Sequence, residues 1–283
     1  MTVELFVFIL FAILFSVSTK FLHKHVLEEA DPYAYALLLN GISAIIFLPL
    51  MIVNFSLPSL SPVWLVVVVA SIFWALTAVT SKMSIKGSDV SLRDPLNQSK
   101  LIWTFLLGVL FLKEIITTNR ILGNLLVFIG VSLLLWHPER KLGRLRDYGV
   151  KWTLIGALFS SLALVSDKFA LQYFKPEVYG FMVYLLPALI LSLFLPKRIH
   201  HVSHLLRHRW KPAILAIALQ TGTYYFTLRA FALADITFVY PLLQLSILLT
   251  VLGSIIFLKE REHLWQRIIA TIIILAGTII VGK

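Results

Sequence analysis

Residues Asp89 to Glu114 read DVSLRDPLNQSKLIWTFLLGVLFLKE, and residues Asp235 to Glu260 read DITFVYPLLQLSILLTVLGSIIFLKE. At a constant offset of 146 (235 − 89) the copies match at Asp89/Asp235, Pro95/Pro241, Gln98/Gln244 and Thr104/Thr250. They also match through the closing Phe-Leu-Lys-Glu of 111–114 and 257–260. Each is an apolar span opened by an acidic residue, interrupted early by proline and closed by Lys-Glu. Apolar composition alone produces leucine matches, but it does not place a proline, a glutamine and a charged pair in register. The chain therefore reads as two homologous halves. Outside this stretch, Ser18-Thr19-Lys20-Phe21 resembles Ser166-Asp167-Lys168-Phe169, and Pro32 and Tyr35 match Pro176 and Tyr179.

The chain has 283 residues, is 59% hydrophobic and only 14% charged, with mean hydropathy +0.90. A soluble domain of this size cannot hide that much apolar surface. Repeated apolar stretches of roughly 20 residues have the length of a bilayer-crossing helix. In a soluble protein a net charge of +11 suggests nucleic acid. Here the Lys and Arg gather in loops, as membrane topology requires, and no nucleic-acid partner is expected. The absence of cysteine excludes disulfides and thiol catalysis. Val3 to Val17 lacks a basic leader and a small-residue cleavage site, so it reads as a retained first span.

Ten spans follow from the pattern: Val3–Leu22, Tyr33–Val53, Val63–Met83, a fourth from Asp89 or Pro95 to Leu112, Arg120–Trp136, Trp152–Tyr173, Val178–Leu195, Ala213–Ala232, Ile236–Leu258 and Leu264–Val281. Pro32 suits the first turn of the second helix. Backbone hydrogen bonds must close internally in hydrocarbon, so all ten are helices. The expected fold is an all-α polytopic membrane protein. Its segments are a first five-helix repeat (1–137), a basic connecting loop (138–151) and a second five-helix repeat (152–283). Five is odd, so the second half is inverted relative to the first. Inverted repeats are a recurrent architecture of secondary transporters, with the site near the midplane between the halves. Another strongly basic loop, PKRIHHVSHLLRHRWKP, lies between spans 7 and 8.

Two five-helix repeats, an early proline in spans 4 and 9 and a Phe-Leu-x-Glu close resemble the EamA-like permeases of the drug/metabolite transporter superfamily. The resemblance covers nearly the whole chain. It implies a ten-helix transporter of small metabolites with a cavity lined by spans 1, 3, 4, 6, 8 and 9, and both termini in the cytoplasm. The charges give the opposite orientation. Odd-numbered loops hold most Lys and Arg, including Arg140, Lys141, Arg144, Arg146, Lys197, Arg198, Arg207 and Arg209. The even-numbered loops and C-terminus hold Lys113, Arg120, Lys175 and Lys283. By the positive-inside rule the odd loops are cytoplasmic and the termini outside. The expected location is the cell (inner) membrane, as a monomer or weak dimer.

Charged and polar residues inside spans mark candidate sites, because charge in hydrocarbon is costly and turns to protein or water. These are Lys20, Lys82, Arg93, Asn97, Lys100, Asp167, Lys168, Gln220, Tyr224, Arg229, Tyr240 and Gln244. Lys20 and Lys168 lie late in their helices and either snorkel or serve the site. Asp167 cannot snorkel far and pairs with Lys168 or Arg229. Gln220 and Tyr224 are four apart, on one helical face. They either orient a ligand or bond between helices. Arg93, Asn97 and Lys100 follow the i, i+4, i+7 pattern, and Asp94 with Gln98 lines a neighbouring face. If the helix starts at Asp89, Lys100 lies about 16 Å deep at 1.5 Å per residue. Pro95 and Pro241 then interrupt their helices, each freeing a carbonyl for water or ligand, or are packing kinks. Glu114 and Glu260 are expected to cap the helices that follow them. Gly108, Gly123, Gly130, Gly253 and Gly277 permit close helix approach.

His200, His204 and His208 have i, i+4 spacing but no nearby carboxylate or Cys, so no metal site is expected. No nucleotide-binding glycine motif, HExxH or nucleophile elbow appears, so no cofactor and no catalytic residue is assigned. The leading reading is a secondary transporter. Its candidate cavity carries Lys20, Lys82, Arg93, Lys100, Lys168 and Arg229 against Asp94 and Asp167, which favours an anionic or zwitterionic metabolite. Proton coupling or exchange supplies the energy. The alternatives are a membrane enzyme or flippase acting on a lipid phosphate, for which a nucleophile or acidic cluster is lacking, and a non-transporting structural bundle.

Overall fold

Proline, glycine and a few polar side chains decide where the apolar runs start, break and touch. The computed structural model describes residues 2–27, 32–56, 58, 62–87, 90–136, 148–194, 199–257 and 263–283. Among them are twelve helices and no strand. They are α1 (Val3–Leu27), α2 (Pro32–Val53), α3 (Val63–Gly87), α4 (Val90–Asn97), α5 (Ser99–Leu112), α6 (Thr118–Leu135), α7 (Tyr148–Ala170), α8 (Pro176–Phe194), α9 (Ile199–Leu233), α10 (Ile236–Leu243), α11 (Leu245–Phe257) and α12 (Leu264–Val281). Pairs α4/α5 and α10/α11 are single broken spans, so twelve helices make ten spans. Many large apolar side chains point outward, including Ile45, Leu110, Leu193 and Ile272. Such a surface requires lipid around it, and the chain is an integral membrane protein. Of the connecting segment 138–151, residues 148–151 already form the start of α7, while 138–147 and the closing Lys259-Glu260 lie outside the described residues.

The breaks fall at equivalent positions. Gln98 separates α4 from α5 and Gln244 separates α10 from α11, each three residues after its proline. At both, tight i→i−3 bonds replace the helical ladder. Gln98 N donates to the Pro95 carbonyl (3.0 Å) and Leu101 N to the Gln98 carbonyl (2.9 Å); Gln244 N donates to Pro241 O (3.1 Å) and Ile247 N to Gln244 O (2.9 Å). Proline offers no N–H to the carbonyl four residues back. For Pro241 that carbonyl belongs to Thr237, and it accepts from Asn124 Nδ2 at 3.0 Å. The freed acceptor is therefore taken by a side chain of α6 rather than by water or ligand.

Span 8 is longer than its apolar stretch. The segment read as a basic loop is helical from Ile199, and α9 runs 35 residues, about 52 Å at 1.5 Å per residue. Lys and Arg have good helix propensity. The helix continues past its apolar part, which hydropathy alone does not reveal.

The described residues form two compact units, each built from both halves: Thr80–Val165 with Ala234–Lys283, and Thr2–Val79 with Ser166–Leu233. In the first, α6 and α12 cross at a glycine seam. A Cβ on Gly123 would lie 2.8 Å from the Gly277 carbonyl oxygen, and one on Gly130 would lie 3.1 Å from the Ala270 carbonyl oxygen. Rising numbers on α6 thus meet falling numbers on α12, so the two helices are antiparallel. Adding 147 to 123 and 130 gives 270 and 277, so each contact is the other with the halves exchanged. Antiparallel membrane helices that exchange in this way have their two-fold axis across the helices, in the membrane plane. The two five-helix repeats are inverted.

In the second unit α1 packs on α9 and α2 on both α8 and α9. Its core includes Val67, Ala70, Val178, Tyr179, Val183 and Leu228. Ser43 of α2 and Thr221 of α9 share a buried hydroxyl bond of 2.6 Å.

Candidate functional site

In the first unit, Glu114 does not cap the helix that follows it. Helix α6 has its own cap, Thr117, whose hydroxyl accepts from Arg120 N at 3.2 Å. Lys113 takes the left-handed conformation (φ 55°) and ends α5 just before Glu114. The buried Glu114 carboxylate then accepts from Ile236 N (2.7 Å) and Thr237 N (2.9 Å), at the start of α10 in the other half. Asp235, the residue before α10, leaves this capping to Glu114 and binds Arg120 Nη1 at 2.7 Å. Glycine at 108 lets α10 approach, since a Cβ there would be 2.9 Å from Ile236 Cγ2.

Lys100 lies in the first turn of α5, ten residues beyond the start of α4, and is half-buried. That is about 15 Å of helix. Its carbonyl accepts from Ser161 Oγ at 3.1 Å. Among the described residues no hydrogen-bond acceptor or carboxylate pairs with its ammonium. The break at Gln98 falls between Asn97 and Lys100, so the face Arg93/Asn97/Lys100 is not one continuous helical face. Among the described residues, nothing pairs with the Oε1 of the buried Gln98, with Ser99 Oγ that follows it, or with Thr104 Oγ1 further along α5. Gln244 and Tyr240 are buried at the second break. The side chains of Lys82, Asp94 and the α9 histidines lie outside the described ones.

In the second unit, Asp167 pairs with neither Lys168 nor Arg229. Its carboxyl is fully buried. Oδ1 accepts from the Tyr179 hydroxyl at 2.5 Å and Oδ2 from the Tyr224 hydroxyl at 2.9 Å. Trp74 Nε1 donates to both oxygens, at 3.2 and 3.3 Å. Lys168 Nζ instead donates to the Phe231 carbonyl at 2.5 Å. A backbone carbonyl near the end of α9 takes this ammonium. Lys20, its counterpart, is half-buried in α1 and has an interaction of its own. Arg229 Nη1 binds Glu177 Oε1 at 2.9 Å, and its Nη2 lies 3.6 Å from Glu4 Oε1. Its guanidinium lies over the Phe8 ring at 5.0 Å. Tyr225 also donates to Glu177, at 3.1 Å. Gln220 is half-buried, and among the described residues nothing pairs with its Oε1.

Trp74, Tyr179, Glu177, Glu4 and Asn124 were not singled out as site residues from the sequence. Tyr179 had a signal, because it repeats Tyr35. Glu177 had one as well, as an acid behind the proline that opens α8. Among the described residues no group of three or more His, Cys, Asp or Glu gathers to hold a metal.

Compared with known proteins, residues 4–136 and again 147–283 match the EamA-like transporter family. A solved crystal structure with 15% sequence identity superposes with a TM-score of 0.78, covering 99% of this chain and 96% of its own. At that identity the likeness concerns the fold. A comparison with curated proteins found no match.

Proposed function

The chain belongs to the EamA-like transporter family, and from that premise we propose that it moves a small anionic or zwitterionic metabolite by alternating access, with Lys100 contacting the anionic group. As a family member the chain is a membrane transporter of the drug/metabolite type. The cargo class rests on one observation. Among the described cations inside spans, Lys168 and Arg229 are bound to protein acceptors and Lys20 and Arg93 have interactions of their own. Lys100 has none at its ammonium. A half-buried ammonium without a partner is costly in a membrane protein unless water or a ligand meets it. Its place after a helix break fits the discontinuous helices that hold substrates in inverted-repeat transporters. The unpartnered oxygens of Gln98 and Ser99 and the buried Gln244 and Tyr240 are proposed to complete the site. Pro95 and Pro241 maintain the breaks.

The test is Lys100→Met, which keeps length and removes charge, beside Lys100→Arg. One charge-assisted hydrogen bond is worth about 1.5–3 kcal/mol, so Lys100→Met is expected to weaken apparent affinity for an anionic cargo roughly 10- to 100-fold. Expression and monodispersity should hold. Lys100→Arg should keep part of the activity, since charge survives but geometry changes. Wild-type affinity and maximal rate for Lys100→Met in proteoliposomes reject the assignment.

A further inference from the structure

Asp167 is chemically unlike its counterpart. The repeat places Thr19 where the second half has Asp167, and the Thr19 hydroxyl bonds its own helix at the Phe15 carbonyl, 2.8 Å away. Helix packing at this position therefore does not demand a carboxyl. Asp167 instead gathers three neutral donors from three other helices: Trp74 of α3, Tyr179 of α8 and Tyr224 of α9. Among the described residues, no cation is bonded to its carboxyl. Lys168, next on α7, is held by the Phe231 carbonyl of α9. Arg229 of α9 and Glu177 of α8 hold each other. Tyr184 of α8 packs its ring on Tyr224 at 5.2 Å.

A buried carboxylate that meets only neutral donors retains an uncompensated charge, although its lone pairs are well used. Adding one proton to either oxygen removes the charge and turns an acceptor into a donor. The phenol facing that oxygen must then accept, and its own hydrogen must find another acceptor. Protonation thus reverses or breaks one inter-helix bond, while deprotonation draws all three donors back onto α7. Because the carboxyl is fully buried, the proton arrives and leaves only when the junction opens.

We propose that Asp167 is a reversible proton-binding site whose loading loosens the junction of α3, α7, α8 and α9, so that proton movement is coupled to the conformational cycle. This goes beyond the cargo assignment and does not depend on Lys100.

The proton itself is the probe, and no cargo is needed. Infrared difference spectra of the purified protein in lipid, recorded across the physiological pH range, should show a carboxylic-acid C=O band appearing on acidification. Asp167→Asn should lack it. Tyr224→Phe keeps the acid, removes one donor to its charged form and should show the band at a higher pH than wild type. The absence of native cysteine allows a second readout. Ser71→Cys places a thiol at a fully buried position of α3, one turn before Trp74. Relative to a denatured control at each pH, its maleimide labelling should rise several-fold on acidification. In the Asp167→Asn background labelling should be high and independent of pH, since asparagine resembles the neutral acid. Identical spectra for wild type and Asp167→Asn, or Ser71→Cys labelling with no pH dependence beyond that of the control, overturn the proposal. If Asp167→Asn does not fold, a Tyr224→Phe spectrum unchanged from wild type does so.

Discussion

Glu114→Ala is expected to be among the most destabilising single substitutions in this protein. The buried carboxylate is the acceptor for two N–H groups at the start of α10, Ile236 N and Thr237 N. The first N–H groups of a helix have no partner within it, and Ile236 and Thr237 are buried, so water does not replace the lost acceptor. Each orphaned N–H costs about 1–3 kcal/mol, or about 2–6 kcal/mol for the pair. The negative charge at the helix N-terminus adds to the effect. Glu114→Gln retains one carbonyl oxygen and should fall between wild type and alanine. The measurement is the temperature at which half the protein ceases to be monodisperse in detergent. A midpoint for Glu114→Ala within error of wild type would show that α10 does not depend on this cap.

The second large effect is expected at Gly277. A Cβ there would lie 2.8 Å from Val127 N and 2.9 Å from the Gly123 carbonyl oxygen, both backbone atoms. Side chains can rotate away from such a clash, but backbone moves only by separating α6 from α12. Overpacking of this kind costs about 1–3 kcal/mol, and Gly277→Val should exceed Gly277→Ala. Gly41 is the contrasting case, because a Cβ there meets nothing within 4 Å. Gly41→Ala should be neutral or stabilising, by up to about 1 kcal/mol from helix propensity. Equal melting of Gly277→Val and Gly41→Ala would contradict the seam.

The same residues show what one dimension of sequence reveals. The offset of 146 between the proline-bearing copies and the odd span count led to the inverted repeat, because spacing and parity are properties of the chain itself. The prolines marked broken spans for the same reason: a missing N–H is a local fact. What a freed group bonds to is not local. Thr237 O meets Asn124, 113 residues away, and Glu114 meets Ile236, 122 residues away. Both partners come from the opposite half, where neither charge pattern nor hydropathy points. Asp167 is recognisable in the sequence as an unusual charge, and charge complementarity points it to Lys168 or Arg229. The fold uses phenol and indole donors instead, leaving Lys168 to the Phe231 carbonyl and Arg229 to Glu177. Hydropathy registers lipid contact and so reads the basic stretch before span 8 as a loop, whereas α9 continues as a helix beyond its apolar part.

The central claim, a transporter for small anionic or zwitterionic metabolites, is most directly tested by counterflow. Wild-type protein is reconstituted into liposomes loaded with unlabelled amino acids, dicarboxylates or sugar phosphates, one class at a time. Trace labelled compound of the same class is then added outside. Transient accumulation of label is predicted for at least one of these classes, and none for a lipophilic cation such as tetraphenylphosphonium. Counterflow of the cation with none of the anionic or zwitterionic classes would contradict the account.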